Sequence, residues 1–253
     1  MIIWTVLTAS FIAVTGFGMR KNDTLLCKEI VISVSDSLEH RFITSNQVRK
    51  LIEEGEEELQ GYPVESINTM NLEVLLEKNP YVSNAEVYMN VEGKLFADVY
   101  QRKPLIRVMP SGGEGYYIDT EWRILPLSDQ YTPNVLLVSG NVNFSKEKNS
   151  TGALLVDNSE DRELNELMSF SKYAADHPFW RNQIVQVYRA KNGDFEIIPR
   201  VGAHQIIFGS MQNYKEKLEQ LKLLYDQGLK KYGWNRYDKI NLKYSNQIIC
   251  TKR

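Results

Sequence analysis

The chain has 253 residues, 43% of them hydrophobic and 11% aromatic, with a formal net charge of −2. That length suits one or two domains, and the apolar content fills real cores, which excludes wholesale disorder. Near-neutrality gives no general case for nucleic acid, yet the charge is uneven: residues 211–253 carry ten basic and four acidic side chains, against 11 and 15 in residues 19–110.

Residues 2–18, IIWTVLTASFIAVTGFG, contain no charged side chain. As a helix they extend about 26 Å, the short end of a membrane span. No charge beyond the amino terminus precedes the run and Met19-Arg20-Lys21 comes directly after it, which favours a retained anchor over a cleaved signal peptide. Counted alone, Arg20 and Lys21 favour a cytoplasmic side for the C-terminal bulk of the chain. The flank before the run is so short that a missing upstream segment is expected.

Residues 27–34, CKEIVISV, read as the first strand, broken by Ser35-Asp36-Ser37. A helix comes next, with Ser45 as N-cap and Val48, Leu51 and Ile52 as its apolar stripe. The acidic run Glu53 to Glu58 reads as its solvated end, because it lacks the Asp/Asn ladder of a calcium loop. A second helix spans Met70 to Asn79, carrying Met70, Leu72, Val74, Leu75 and Leu76. Then comes the clearest pattern in the chain. Ala85, Val87 and Met89 alternate with polar residues, as do Leu95, Ala97 and Val99, on either side of Val91-Glu92-Gly93-Lys94. Period-two alternation around a glycine predicts an antiparallel hairpin with one buried face, ended at Pro104. Strand–helix–helix–strand–strand makes a small α+β domain with helices on one face of a three-stranded sheet.

Beyond Leu105 the expected strands are short. Tyr116–Ile118 and Arg123–Leu125 flank a turn, Val135–Val138 reads as a buried strand, and residues 141–158 read as a polar irregular loop. A helix marked by Leu164, Leu167, Met168 and Phe170 ends near Pro178. Ile184–Tyr188 and Phe195–Ile198 are joined through Asn192-Gly193, a hairpin signal, and Gln205–Phe208 comes after them. Met211 to Lys231 is the most amphipathic stretch, with Tyr214, Leu218, Leu221 and Tyr225 at helical spacing. Two strands, Lys239–Tyr244 and Gln247–Thr251, close the chain.

Chemistry is sparse. His40, His177 and His204 are too far apart in sequence for a helical metal pair. Ser111-Gly112-Gly113-Glu114-Gly115 lacks the Lys-Ser/Thr of a phosphate loop, and Asp119 with Glu121 reads as turn carboxylates rather than a glycosidase dyad. Cys27 and Cys250 sit in apolar runs and read as buried free thiols, since a bridge needs Cα atoms within about 7 Å. We therefore expect no enzyme, no cofactor, no metal, no nucleic acid and no small-molecule substrate. Protein–protein contact is the use that fits, and a sheet ending in the last strand offers one means: an open edge that an incoming strand extends.

The sequence resembles the FtsQ/DivIB family of bacterial cell-division proteins, in particular its Bacteroidetes members. In the first part the resemblance rests on Asn79-Pro80-Tyr81-Val82, Ala85-Glu86-Val87 and the closing Gln101-Arg102-Lys103-Pro104, which look like the end of a POTRA domain. In the second it rests on Tyr117-Ile118-Asp119, Phe179-Trp180, Ile198-Pro199-Arg200-Val201-Gly202, Gly233-Trp234-Asn235 and Asn246 through Lys252. The resemblance implies a transmembrane anchor over residues 1–19, a POTRA domain (β-α-α-β-β) over 27–104 and a larger mixed β-domain with two helices over 105–253. It further implies a single-pass protein of the inner membrane, held in lipid by residues 2–18, with its bulk in the periplasm at the division septum. Its partners would be FtsB and FtsL, and its role a non-catalytic scaffold that helps recruit septal peptidoglycan synthesis. Lys243, Tyr244, Gln247, Ile249 and Thr251 match the edge that takes FtsB as an added strand. A POTRA-containing component of outer-membrane protein assembly or secretion is the competing reading; it calls for repeated POTRA units or a downstream barrel.

Overall fold

The computed structural model describes residues 25–35, 41–55, 59–142, 144, 146–148, 154–156, 162–244 and 247–253. Residues 2–18, the expected anchor, lie outside them; among the described residues no helix is long and apolar enough to cross a membrane. The chain divides into two compact units, one containing Ile43–Gln101 and the other Arg102–Arg253.

The first unit runs β1 (Glu29–Val34), α1 (Ser45–Gly55), α2 (Thr69–Glu77), β2 (Val82–Met89) and β3 (Lys94–Gln101). The sheet order is β1-β3-β2, with β1 parallel and β2 antiparallel to β3. Alternation places Ala85, Val87, Leu95, Ala97 and Val99 on the face that meets Val48 and Ile52 of α1 and Leu72 and Leu76 of α2. Gly93 supplies the left-handed turn at φ 83 between β2 and β3. Asn90 steadies that turn, its side-chain oxygen accepting from the amides of Glu92 (3.0 Å) and Lys94 (2.9 Å).

Three details differ from the sequence reading. The cap of α1 is Thr44, not Ser45: Thr44 Oγ1 accepts from the Gln47 amide (3.4 Å) while Gln47 Oε1 accepts from the Thr44 amide (2.9 Å). This reciprocal capping box satisfies two amides that helix geometry leaves orphaned. Met70 and Val74 point outward, 69% and 52% exposed, so the inward stripe of α2 is narrower than its apolar content suggests. Cys27 is buried as expected, whereas Cys250 is only half-buried, and both are free thiols.

The second unit contains β4 (Pro104–Pro110), β5 (Tyr116–Asp119), β6 (Ile124–Pro126), β7 (Leu136–Gly140), β8 (Lys146–Lys148) and β9 (Leu154–Val156). Then come α3 (Arg162–Asp176), α4 (Trp180–Gln183), β10 (Ile184–Arg189), β11 (Phe195–Pro199) and β12 (Gln205–Gly209). The chain ends with α5 (Tyr214–Leu223), a π-helical stretch Leu224–Leu229, α6 (Lys230–Tyr232), β13 (Tyr237–Asn241) and β14 (Ile249–Lys252). Among the described residues, nine strands form one mixed sheet in the order β14-β13-β12-β11-β10-β7-β4-β5-β6. Its core joins Val138, Val187, Ile197, Ile206, Phe208 and Ile240 to Leu167 and Phe170 of α3 and to Leu218, Leu221, Tyr225 and Leu229. Val185 and Ile198 on neighbouring strands remain exposed, as in a sheet with one covered face.

The expectation of two helices undercounts this unit. The short α4 caps the end of α3, with His177 Nδ1 accepting from the amides of Phe179 (3.1 Å) and Trp180 (3.3 Å). The last helix changes to π geometry after Leu223, which no hydrophobic period reveals. The stretch read as a polar loop includes a two-stranded ladder, Lys146↔Val156 through Lys148↔Leu154, because its polar average hides the run Leu154-Leu155-Val156.

Candidate partner-binding edge

The last helix is fixed to the sheet by Lys217, whose Nζ donates to the carbonyls of Phe208 (3.0 Å) and Ser210 (2.7 Å). Burial lowers the pKa of this ammonium. Further along, Asp226 binds Lys222 (2.7 Å) and Lys230 (2.9 Å), each four residues away on the helix surface. Those two ammonium groups hold the Asp226 carboxyl below its usual range. Within the π stretch, Tyr225 is buried against Trp180, His204 and Trp234. Its hydroxyl lies 2.9 Å from His204 Nε2. Burial pushes the Tyr225 phenol up and the His204 imidazole down, so both are neutral at physiological pH.

Gly233, at φ 97, ends the helical run and the chain enters β13. β13 is parallel to β12 and antiparallel to β14, with Lys239↔Thr251, Ile240↔Cys250 and Asn241↔Ile249 in register. The two closing strands differ in bounds from the sequence reading. The first ends at Asn241, whose side-chain oxygen accepts from the Lys243 amide (2.9 Å) and turns the chain out of the ladder.

Lys243 and Tyr244 therefore lie past the strand, in the segment leading to β14. Lys243 Nζ meets Asp194 Oδ2 at 2.8 Å, an ion pair to the β10–β11 turn that raises its pKa. Tyr244 is 49% exposed. Along the final segment, Ile248 and Cys250 pack inward on the core, while Gln247, Ile249 and Thr251 are exposed. Among the described residues β14 has one strand neighbour, β13, which leaves its other side as the edge of the sheet.

Beside that edge runs an open groove of about 550 Å³, lined by Gln220, Leu223, Leu224, Gln227, Gly228, Gln247 and Ile248. Sequence reasoning missed its helix side. Leu223 falls off the stripe of Tyr214, Leu218, Leu221 and Tyr225 and is 56% exposed, which was the available signal. Gln247 and Ile248, which line the groove, lead directly into β14, so an extended segment lying on β14 and continuing past Ile249 meets apolar surface there. Open backbone groups give such a strand its hydrogen bonds, and pockets for alternate side chains give it specificity. Among the described residues no three His, Cys, Asp or Glu side chains are grouped to hold a metal.

Two family models match the chain. Residues 103–251 match the one described as FtsQ/DivIB, C-terminal related, and residues 25–100 match the one described as POTRA-like domain. No curated protein matches it.

Proposed function

The chain belongs to the FtsQ/DivIB family, and from that premise we propose that it is a non-catalytic scaffold of cell division. Residues 2–18 anchor it as a single pass in the inner membrane, and the bulk lies in the periplasm at the septum. The POTRA-like module, for which we take residues 27–104, supports localisation. The β-domain, residues 105–253, takes the division proteins FtsB and FtsL and so helps recruit septal peptidoglycan synthesis.

The observation that carries this reading is the edge of β14 beside its groove. A strand of FtsB adds to β14, passing the exposed side chains of Gln247, Ile249 and Thr251. Tyr244 supplies a flat aromatic anchor at one end, of the kind that dominates interface energies. The basic excess of residues 211–253 favours an acidic partner segment and speeds its encounter.

The reading is tested by affinity capture from membranes in mild detergent, together with calorimetry using the periplasmic segment of FtsB. Recovery of two small coiled-coil membrane proteins supports it; recovery of a β-barrel supports an outer-membrane assembly role instead. Tyr244→Ala should weaken FtsB binding while the protein stays folded, and unchanged affinity in a folded variant removes Tyr244 from the site.

A further inference from the structure

The three-stranded sheet of the first unit has two outer strands, β1 and β2. An outer strand presents backbone donors and acceptors on which another strand can form. On β2 two of those donors are already occupied. Glu73 Oε1 accepts from the Val87 amide at 2.8 Å, and Glu77 Oε1 accepts from the Ala85 amide at 3.3 Å.

The geometry that allows this is a match of two periods. Glu73 and Glu77 are four residues apart on α2, a rise of about 6 Å. Ala85 and Val87 are two residues apart on β2, about 6.8 Å. The helix runs against the strand, the earlier glutamate meeting the later amide, so both carboxylates reach the same edge together. A carboxylate accepting from a backbone amide makes a charge-assisted bond, stronger than the neutral one an incoming carbonyl would offer.

The other edges of the two larger sheets are treated differently. Arg49 Nη2 of α1 donates to the Ile30 carbonyl on β1 at 3.1 Å. β6 has three residues and ends in Pro126, a poor template. β14 carries no comparable cover among the described residues.

We propose that Glu73 and Glu77 form an edge guard, which denies β2 to any further strand and leaves β14 as the edge open to strand addition; the second clause rests on the function proposed above. A chain with two open edges can join β14 of one copy to β2 of the next. Such a contact is heterologous and does not close, so it grows into open-ended assemblies. Charge favours the mispairing, since residues 211–253 are basic in excess and residues 19–110 acidic in excess. The guard removes the acceptor edge of that growth.

The test uses the full chain in detergent, comparing wild type with Glu73→Ala/Glu77→Ala and Glu73→Gln/Glu77→Gln. At dilution, where the chain is monomeric, the alanine pair should raise amide exchange at Ala85 and Val87 about fivefold to tenfold; at higher protein concentration it should sediment as a species that grows with concentration. The glutamine pair keeps an Oε1 acceptor and should stay closer to wild type in both readings. An alanine pair that is folded by circular dichroism yet monomeric at every concentration overturns the guard. If that pair unfolds, the single Glu77→Ala variant carries the same comparison at Ala85. Adding Ile249→Lys to the alanine pair separates the two claims: association that persists keeps the guard and contradicts β14 as the donor edge.

Discussion

Arg102 Nη1 lies 2.9 Å from Asp119 Oδ2, and the two side chains are only 9% and 4% exposed. The same nitrogen meets Glu121 Oε2 at 2.9 Å, and Asp119 Oδ1 accepts from the amides of Glu121 and Arg123, both at 2.8 Å. One buried carboxylate thus sets the β5–β6 turn and holds the guanidinium where the segment Arg102–Arg253 of the second unit begins. Removing one partner of a buried pair leaves the other uncompensated, at a cost of about 3 kcal/mol. Arg102→Met should lower the stability of the second unit by about that amount, read as a shift of the urea midpoint. Asp119→Asn/Arg102→Met should recover part of the loss.

His204 gives the β-domain a pH dependence of definite sign. It is 3% exposed, and burial holds its pKa below the ordinary value of 6.5, with the Arg253 charge acting the same way. The unfolded chain therefore takes up a proton that the folded chain resists. The stability this neutral imidazole contributes is present above about pH 6.5 and is lost as pH falls through the depressed folded value. Thermal unfolding between pH 7.5 and 5.5 should show a steeper fall for wild type than for His204→Gln. Parallel slopes would remove His204 as the cause.

Gly93 should tolerate no side chain. Its φ is 83, and a Cβ built there comes 2.4 Å from the Leu26 carbonyl oxygen. The backbone strain alone is worth about 1–3 kcal/mol. Gly93→Ala should destabilise the first unit by at least that, seen as an earlier melting transition. Gly61, with φ 86 and open space around the position, is the comparison site, where alanine should meet the strain without the clash.

Local patterns were legible and distant pairings were not. The alternation through Ala85, Val87, Leu95, Ala97 and Val99 reads as a hairpin because each neighbour in sequence is also a neighbour in space. Family membership was also readable, from residues scattered between Asn79 and Lys252. The central place of β7, parallel to both β4 and β10, joins segments tens of residues apart and has no local signature. The contact of Glu73 with Val87 is hidden for the same reason, since in sequence the glutamates of a helix look alike until a strand lies beside them. The π stretch at Leu224–Leu229 escaped because a 3.6-residue period still fits Leu218, Leu221 and Tyr225. The groove beside the final segment escaped because its helix side, Leu223 and Leu224, pairs with Gln247 and Ile248 more than twenty residues on. Lys243 and Tyr244 are marked by resemblance alone, and their position past the end of β13 is set by the Asn241 turn, which strand propensity does not report.

Addition of a partner strand to β14 is measured most directly by amide hydrogen exchange over residues 247–252, with and without a saturating FtsB periplasmic segment. Strand addition should slow exchange at alternate amides of Ile249 to Lys252 about tenfold or more, as new ladder bonds form, with β6 unchanged. Saturating binding that leaves these amides exchanging at their original rate, or that protects β6 instead, would contradict it.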